Sequence, residues 1–234
     1  MNAGIQTSHS MPLYEQYHKQ DPQRLAFMMS LVGVSIAALG MGSSFWAAYD
    51  NLGSAIFSMR MDRLGDYLSS PLAYVYNISL LLGGACFILA MGGLWWQKHS
   101  AAAGLLSRSG IAVGLGIVAL GVFPYNELFA HQLAAIFFIA STLVMFTLCC
   151  YCFVSHRALC NLPLCLFSLL GIMSAIGLLS QLQWPSMNYA SCSVQTLCPS
   201  VWFMWLHSIA TVFAGLSLSA TVYRLWHWSQ PLND

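Results

Sequence analysis

Six apolar stretches constrain this chain more than any motif in it. They lie near residues 25–49, 71–96, 104–123, 128–153, 162–183 and 201–225, and each is long enough to cross roughly 30 Å of hydrocarbon as a helix. Hydrocarbon offers no water to a backbone N–H or C=O, so a spanning segment must satisfy those groups internally, which an α-helix does. Several joints are short: residues 99–103, 125–127 and 155–161. Short joints hold consecutive helices antiparallel. The expected architecture is therefore an all-α, six-transmembrane-helix bundle of up-down topology. A polar tail spans residues 1–24, the membrane domain 25–228 and a second tail 229–234. The polar tail lacks a basic n-region, so the first apolar run is expected to stay as a mature span.

Charge supports the same solvent argument. Only 6% of the residues are charged, against about 25% in a soluble domain, too few to cover a water-facing surface. The net charge is +1 and no basic run occurs, which argues against nucleic acid as a partner. Membrane lipids and a partner membrane protein are the partners that such a surface suits.

The lysines and arginines are unevenly placed. Lys19, Arg24, Lys98, Arg108, Arg157 and Arg224 fall on one side of the bundle, and Arg60 and Arg63 on the other. Cationic loops stay in the cytoplasm, so both termini are expected there, in a bacterial inner membrane. The loops near 50–70, 124–127 and 184–200 then face outside. Cys192 and Cys198 share the last of these, where an oxidising compartment would allow a disulfide. Cys149, Cys150, Cys152 and Cys160 lie at the cytoplasmic end and are read as small apolar fillers.

Between the first two spans, Phe57, Met61, Leu64 and Leu68 recur at helical spacing, while Arg60, Asp62, Arg63 and Asp66 occupy other faces. This pattern predicts a short amphipathic helix lying on the outer interface. Trp95, Trp96, Trp184, Trp202, Trp226 and Trp228 stand at span ends, as interfacial tryptophans do. Glycines in the first three spans allow close helix approach.

Polar residues inside apolar spans are costly and mark candidate sites. Ser43, Ser44, Asn77, His131 and His207 all fall roughly 5–12 Å below the outer rim, counted at about 1.5 Å per residue. Asp66, Asn126 and Glu127 sit just above them. Asp66, Asn77, Asn126, Glu127, His131 and His207 are therefore the expected binding residues of an outer-leaflet cleft for a lipid-like ligand or a partner helix. Against this stands the plainer role of each as hydrogen-bonding glue between helices.

The alternative is an intramembrane hydrolase. A zinc ion on His131 and His207, with Asp66 or Glu127 as third ligand or base, would supply the chemistry. A Ser43 or Ser44 nucleophile paired with His131 would be another route. No His-x-x-x-His, His-Glu-x-x-His or Gly-x-Ser-x-Gly spacing accompanies them. A transporter would show inverted repeats, and none is visible. A haem would need His131 and His207 facing each other.

Two stretches resemble a known family. Leu64-Gly65-Asp66 leading to Tyr76-Asn77 and Gly83-Gly84, and Val122-Phe123-Pro124 followed by His131, are similar to a bacterial six-helix membrane family, domain of unknown function 998. The DRAM-like and Frag-like membrane proteins share a similar corner. The resemblance implies a six-helix fold with polar positions at Asp66, Asn77, Pro124 and His131. It implies no activity. Leu64-Gly65-Asp66 departs from the commoner order in that family, where the acidic residue precedes Leu-Gly.

Overall fold

The computed structural model describes residues 13–97, 100–189 and 198–228. Six long helices account for most of them: α1 (Leu13–Leu52), α2 (Ala73–Trp96), α3 (Ala101–Val122), α4 (Leu128–Ser155), α5 (Leu162–Ser180) and α6 (Pro199–Trp228). All six contain a segment long and apolar enough to cross a membrane, the architecture of a multi-pass membrane protein. α1 runs back through Pro22 to Leu13, so the latter half of the expected polar tail is helical.

Local chemistry sets the helix ends. Ser100 caps α3 by accepting from the Ala103 N–H at 3.1 Å. The Asn161 side chain caps α5 by accepting from the Leu164 N–H at 2.8 Å. At the α3–α4 corner Pro124 has no N–H to donate, and the Glu127 N–H turns back to the Pro124 carbonyl at 2.9 Å.

Each helix packs against the next, and α6 closes back on α1, giving a ring of six antiparallel neighbours. Small residues bring α1, α2 and α3 close. A Cβ on Gly84 would stand 2.8 Å from the Gly114 carbonyl oxygen, and one on Gly33 would stand 2.9 Å from that of Gly83. Neither space admits a side chain, so glycine is what permits these backbone approaches. The outward faces carry large apolar groups, such as Leu39 at 74% exposure and Met173 at 66%. Exposure of that kind is favourable only where lipid is the solvent. Trp96, Trp184 and Trp202 stand exposed near helix ends.

One end of the ring carries both described chain ends, at Leu13 and Trp228, together with the α2–α3 and α4–α5 joints. The opposite, loop end carries the α1–α2 segment, the α3–α4 corner and the α5–α6 connection. The α5–α6 connection contains a two-residue antiparallel pair, β1 (Leu182–Gln183) with β2 (Asn188–Tyr189), which the hydropathy pattern does not announce. The Cys192–Cys198 disulfide expected there involves Cys192, which lies outside the described residues.

The α1–α2 segment is helical, but not as one amphipathic helix on an interface. It forms two 3-10 helices, Gly53–Ser58 and Met61–Gly65, with extended backbone at Met59 and Arg60 between them. The break lets Ile56 and Leu64 bury fully and Met61 nearly so. It also turns Arg60 and Asp62 toward the bundle. Phe57 and Leu68, expected on the same apolar stripe, remain exposed. The gain from seating Ile56, Met61 and Leu64 in the core decides this against a continuous helix whose apolar face meets only lipid.

Candidate functional site

Residues 59–66 form a strap across the loop end, tied to every element around it. Trp205 of α6 donates its indole N–H to the Met59 carbonyl at 3.1 Å. The Asn77 amide of α2 donates to the Gly65 carbonyl at 2.9 Å. Asn126, at the α3–α4 corner, donates to the Asp66 carboxylate at 2.8 Å and accepts from the Tyr67 N–H at 2.8 Å. Ser44 of α1 donates to the Leu72 carbonyl at 3.1 Å, fixing the chain as it enters α2.

The charged centre of the strap is Asp62. The Arg60 guanidinium grips its carboxylate through two nitrogens, Nε lying 3.2 Å from Oδ1. Nε2 of His131 faces the same carboxylate at 3.5 Å. The other His131 nitrogen, Nδ1, contacts the Phe123 carbonyl at 2.9 Å. That oxygen belongs to the end of α3, where carbonyls have no partner further along the helix. Both nitrogens of His131 thus face oxygen atoms. Arg60 also reaches the Asn188 side-chain oxygen at 3.5 Å and lies over the Tyr189 ring at 4.9 Å. Arg63 lies over the Tyr125 ring at 5.3 Å, and Tyr125 meets His131 edge-on at 5.7 Å.

Burial opposes the charge on Asp62, but the His131 contact and the charges of Arg60 and His131 outweigh it and hold the carboxyl below its ordinary value. Asp66 is held low in the same direction: some burial opposes its charge, and bonds from Ser69, the Leu68 N–H and Asn126 overcome it.

The residues expected to converge therefore divide. Asp66, Asn77, Asn126 and His131 all fasten the strap. Glu127 stands beside it at the start of α4, exposed, and among the described residues its carboxylate makes no hydrogen bond or ion pair. His207 is 2% exposed and clamped between two helices: Nε2 lies 3.0 Å from the Thr142 hydroxyl of α4, and Nδ1 lies 3.0 Å from the Ser174 hydroxyl of α5. Phe138 and Phe146 pack edge-on against its ring. His131 and His207 share none of these partners. Among the described residues no three His, Cys, Asp or Glu side chains come together as a metal site requires. Ser43 and Ser44 bond to backbone carbonyls and not to His131.

Sequence reasoning missed Asp62, Arg60, Tyr125 and Tyr189 as members of the site. The available signal was that Arg60 and Asp62 lie two residues apart beside a segment that carries most of its apolar groups inward. The cysteines at the opposite end include a Cys-x-x-Cys spacing, Cys149 to Cys152. Both are buried and free, as are Cys160 and Cys165. Burial, with the neighbouring thiols, pushes the Cys160 thiol up to about 12, so it is inert as a nucleophile.

Beneath the strap lies a cavity of about 130 Å³ lined by α1, α2, α3, α4 and α6. Ala37, Met41, Tyr76, Leu80, Phe138 and Thr211 are among its lining, which contains no charged residue. Tyr76 connects the two features. It lines the cavity, its ring packs under Gly65 of the strap, and it stands within electrostatic reach of Asp62. No family model matches the chain, and neither a curated protein nor a solved structure matches it.

Proposed function

We propose that this multi-pass protein binds a lipid-like molecule between its helices, with the apolar part in the central cavity and the polar end under the strap. The observation that carries this reading is the pairing of an uncharged, apolar cavity of about 130 Å³ with a polar closure at one end. An apolar cavity of about 150 Å³ is known to accept a ring the size of benzene, so a short apolar segment fits. The excess of Lys and Arg at the other end supports a cytoplasmic position for both termini, which turns the strap outward. A disulfide between Cys192 and Cys198 belongs to the same orientation. The likeness of the Asp66–Asn77 stretch and of the Phe123-Pro124 corner with His131 to domain of unknown function 998 supports a shared six-helix plan.

The test is Ala37→Phe, which places a ring in the cavity. Protein purified in mild detergent should carry a co-purifying lipid or other amphiphile, identified by mass spectrometry after solvent extraction, and Ala37→Phe should lose it. Equal amounts on both proteins would remove the cavity from the binding site.

A further inference from the structure

Resting on that reading, we infer that the cavity takes a neutral, largely apolar molecule bearing one hydrogen-bond acceptor, such as a carbonyl oxygen, and that the Tyr76 hydroxyl is the group that holds it. Four lining residues carry hydroxyls: Tyr76, Thr142, Ser208 and Thr211. Three of them spend their proton on helix backbone. Thr142 donates to the carbonyls of Phe138 and Ile139, Ser208 to that of Met204 and Thr211 to that of His207. Tyr76 is 8% exposed, and among the described residues its hydroxyl makes no hydrogen bond. A buried phenol normally finds a partner. Tyr76 is also part of the cavity wall.

The surroundings select against a charged head. An anion needs a free cation, and Arg60 is committed to Asp62, Asn188 and the Tyr189 ring. Asp62 stands near Tyr76 and repels a second negative charge from that end. A cationic head would compete with Arg60 and His131 for a carboxylate that both already face. The walls below offer no charge at all, and an unpaired ion among them carries a large desolvation cost.

Thermal unfolding of the purified protein, titrated with three ring compounds of similar size, separates these possibilities. The probes are cyclohexanone, methylcyclohexane and cyclohexanecarboxylate. Cyclohexanone should bind about fivefold more tightly than methylcyclohexane, the worth of one neutral hydrogen bond, and the carboxylate should bind least. Tyr76→Phe should leave the unliganded unfolding temperature in place and erase the preference for the ketone, while Ala37→Phe should abolish binding of all three. If the ketone and the hydrocarbon bind wild type equally, or Tyr76→Phe keeps the preference, the inference is overturned and the cavity remains a binding site. Tightest binding by the carboxylate overturns it as well. Failure of all three probes to bind wild type removes both this inference and the binding function beneath it.

Discussion

The two buried histidines both sit on apolar helices, yet neither their depths nor their surroundings agree: His207 lies against Thr142, about 16 Å further along α4 than His131. His131 faces a carboxylate, an orphaned helix-end carbonyl and an arginine-bearing strap. His207 faces two hydroxyls and two phenylalanine rings. The first joins elements through charge, and the second joins them through neutral hydrogen bonds. What separates them is the position of the next polar group. α4 starts beside a loop that can fold an Asp onto it, whereas His207 looks inward at α4 and α5, where only serine and threonine are tolerated cheaply.

This contrast predicts the largest effect at Asp62. Asp62→Ala removes the carboxylate that Arg60 grips and His131 faces, and leaves the Arg60 guanidinium without its counter-charge. Breaking such a mostly buried pair should cost about 3 kcal/mol, read as a drop in unfolding temperature in detergent. The effect has a definite pH dependence. The folded-state pKa of Asp62 lies below its ordinary value, so its contribution is fully present above the ordinary carboxylate value of about 4. It is then lost as pH falls through the lower folded value. The gap between wild type and Asp62→Asn should close over that acid interval. A gap unchanged down to full acid unfolding would mean that the Asp62 carboxylate does not hold the strap.

His207→Phe should cost less, about 1 kcal/mol. Thr142 and Ser174 each have a backbone carbonyl of their own helix to donate to, so neither hydroxyl is stranded when the imidazole goes. Phenylalanine fills nearly the same space against Phe138 and Phe146. The matching change at His131 leaves the Phe123 carbonyl without its partner and removes the imidazole that faces Asp62, and should be the worse of the two. Equal losses in parallel melts would dissolve the distinction between a charged tie and a neutral one.

The helices were legible because hydrocarbon leaves the chain so few options: six apolar runs became six helices with ends within a few residues, apart from the extension of α1 through Pro22. Part of the site was legible too. Asp66, Asn77, Asn126 and His131 were found from depth and residue type, and all four do fasten the loop end. Counting residues from span ends grouped His207 with them, but it packs against Thr142, eleven residues further into α4 than His131; such a count does not fix where one helix end stands relative to another. Asp62 was hidden for a different reason. It sits in a segment whose apolar spacing matches a helix, and the break at Met59 and Arg60 that turns Asp62 inward is stabilised by tertiary burial of Ile56, Met61 and Leu64. The Cβ-free face of Gly65, where a methyl would lie 2.5 Å from Asn77 Oδ1, carries no sequence signal beyond the glycine itself.

The smallest expected effect is at Glu127, and it sharpens the boundary of the strap. Glu127 is next to Asn126 in sequence and shares its depth, so the two look equivalent until their partners are compared. Asn126 bonds both the Asp66 carboxylate and the Tyr67 N–H, whereas Glu127 contributes its backbone to the corner and extends its carboxylate outward. Glu127→Gln should shift stability by less than about 0.5 kcal/mol, as exposed unpartnered positions do. Asn126→Ala should cost about 0.5–1.5 kcal/mol, the net worth of its exposed bonds to the Asp66 carboxylate and the Tyr67 N–H. Paired melts of the two variants measure that difference directly. A larger loss at Glu127 would place its side chain in the polar network and move the edge of the site one residue along the chain.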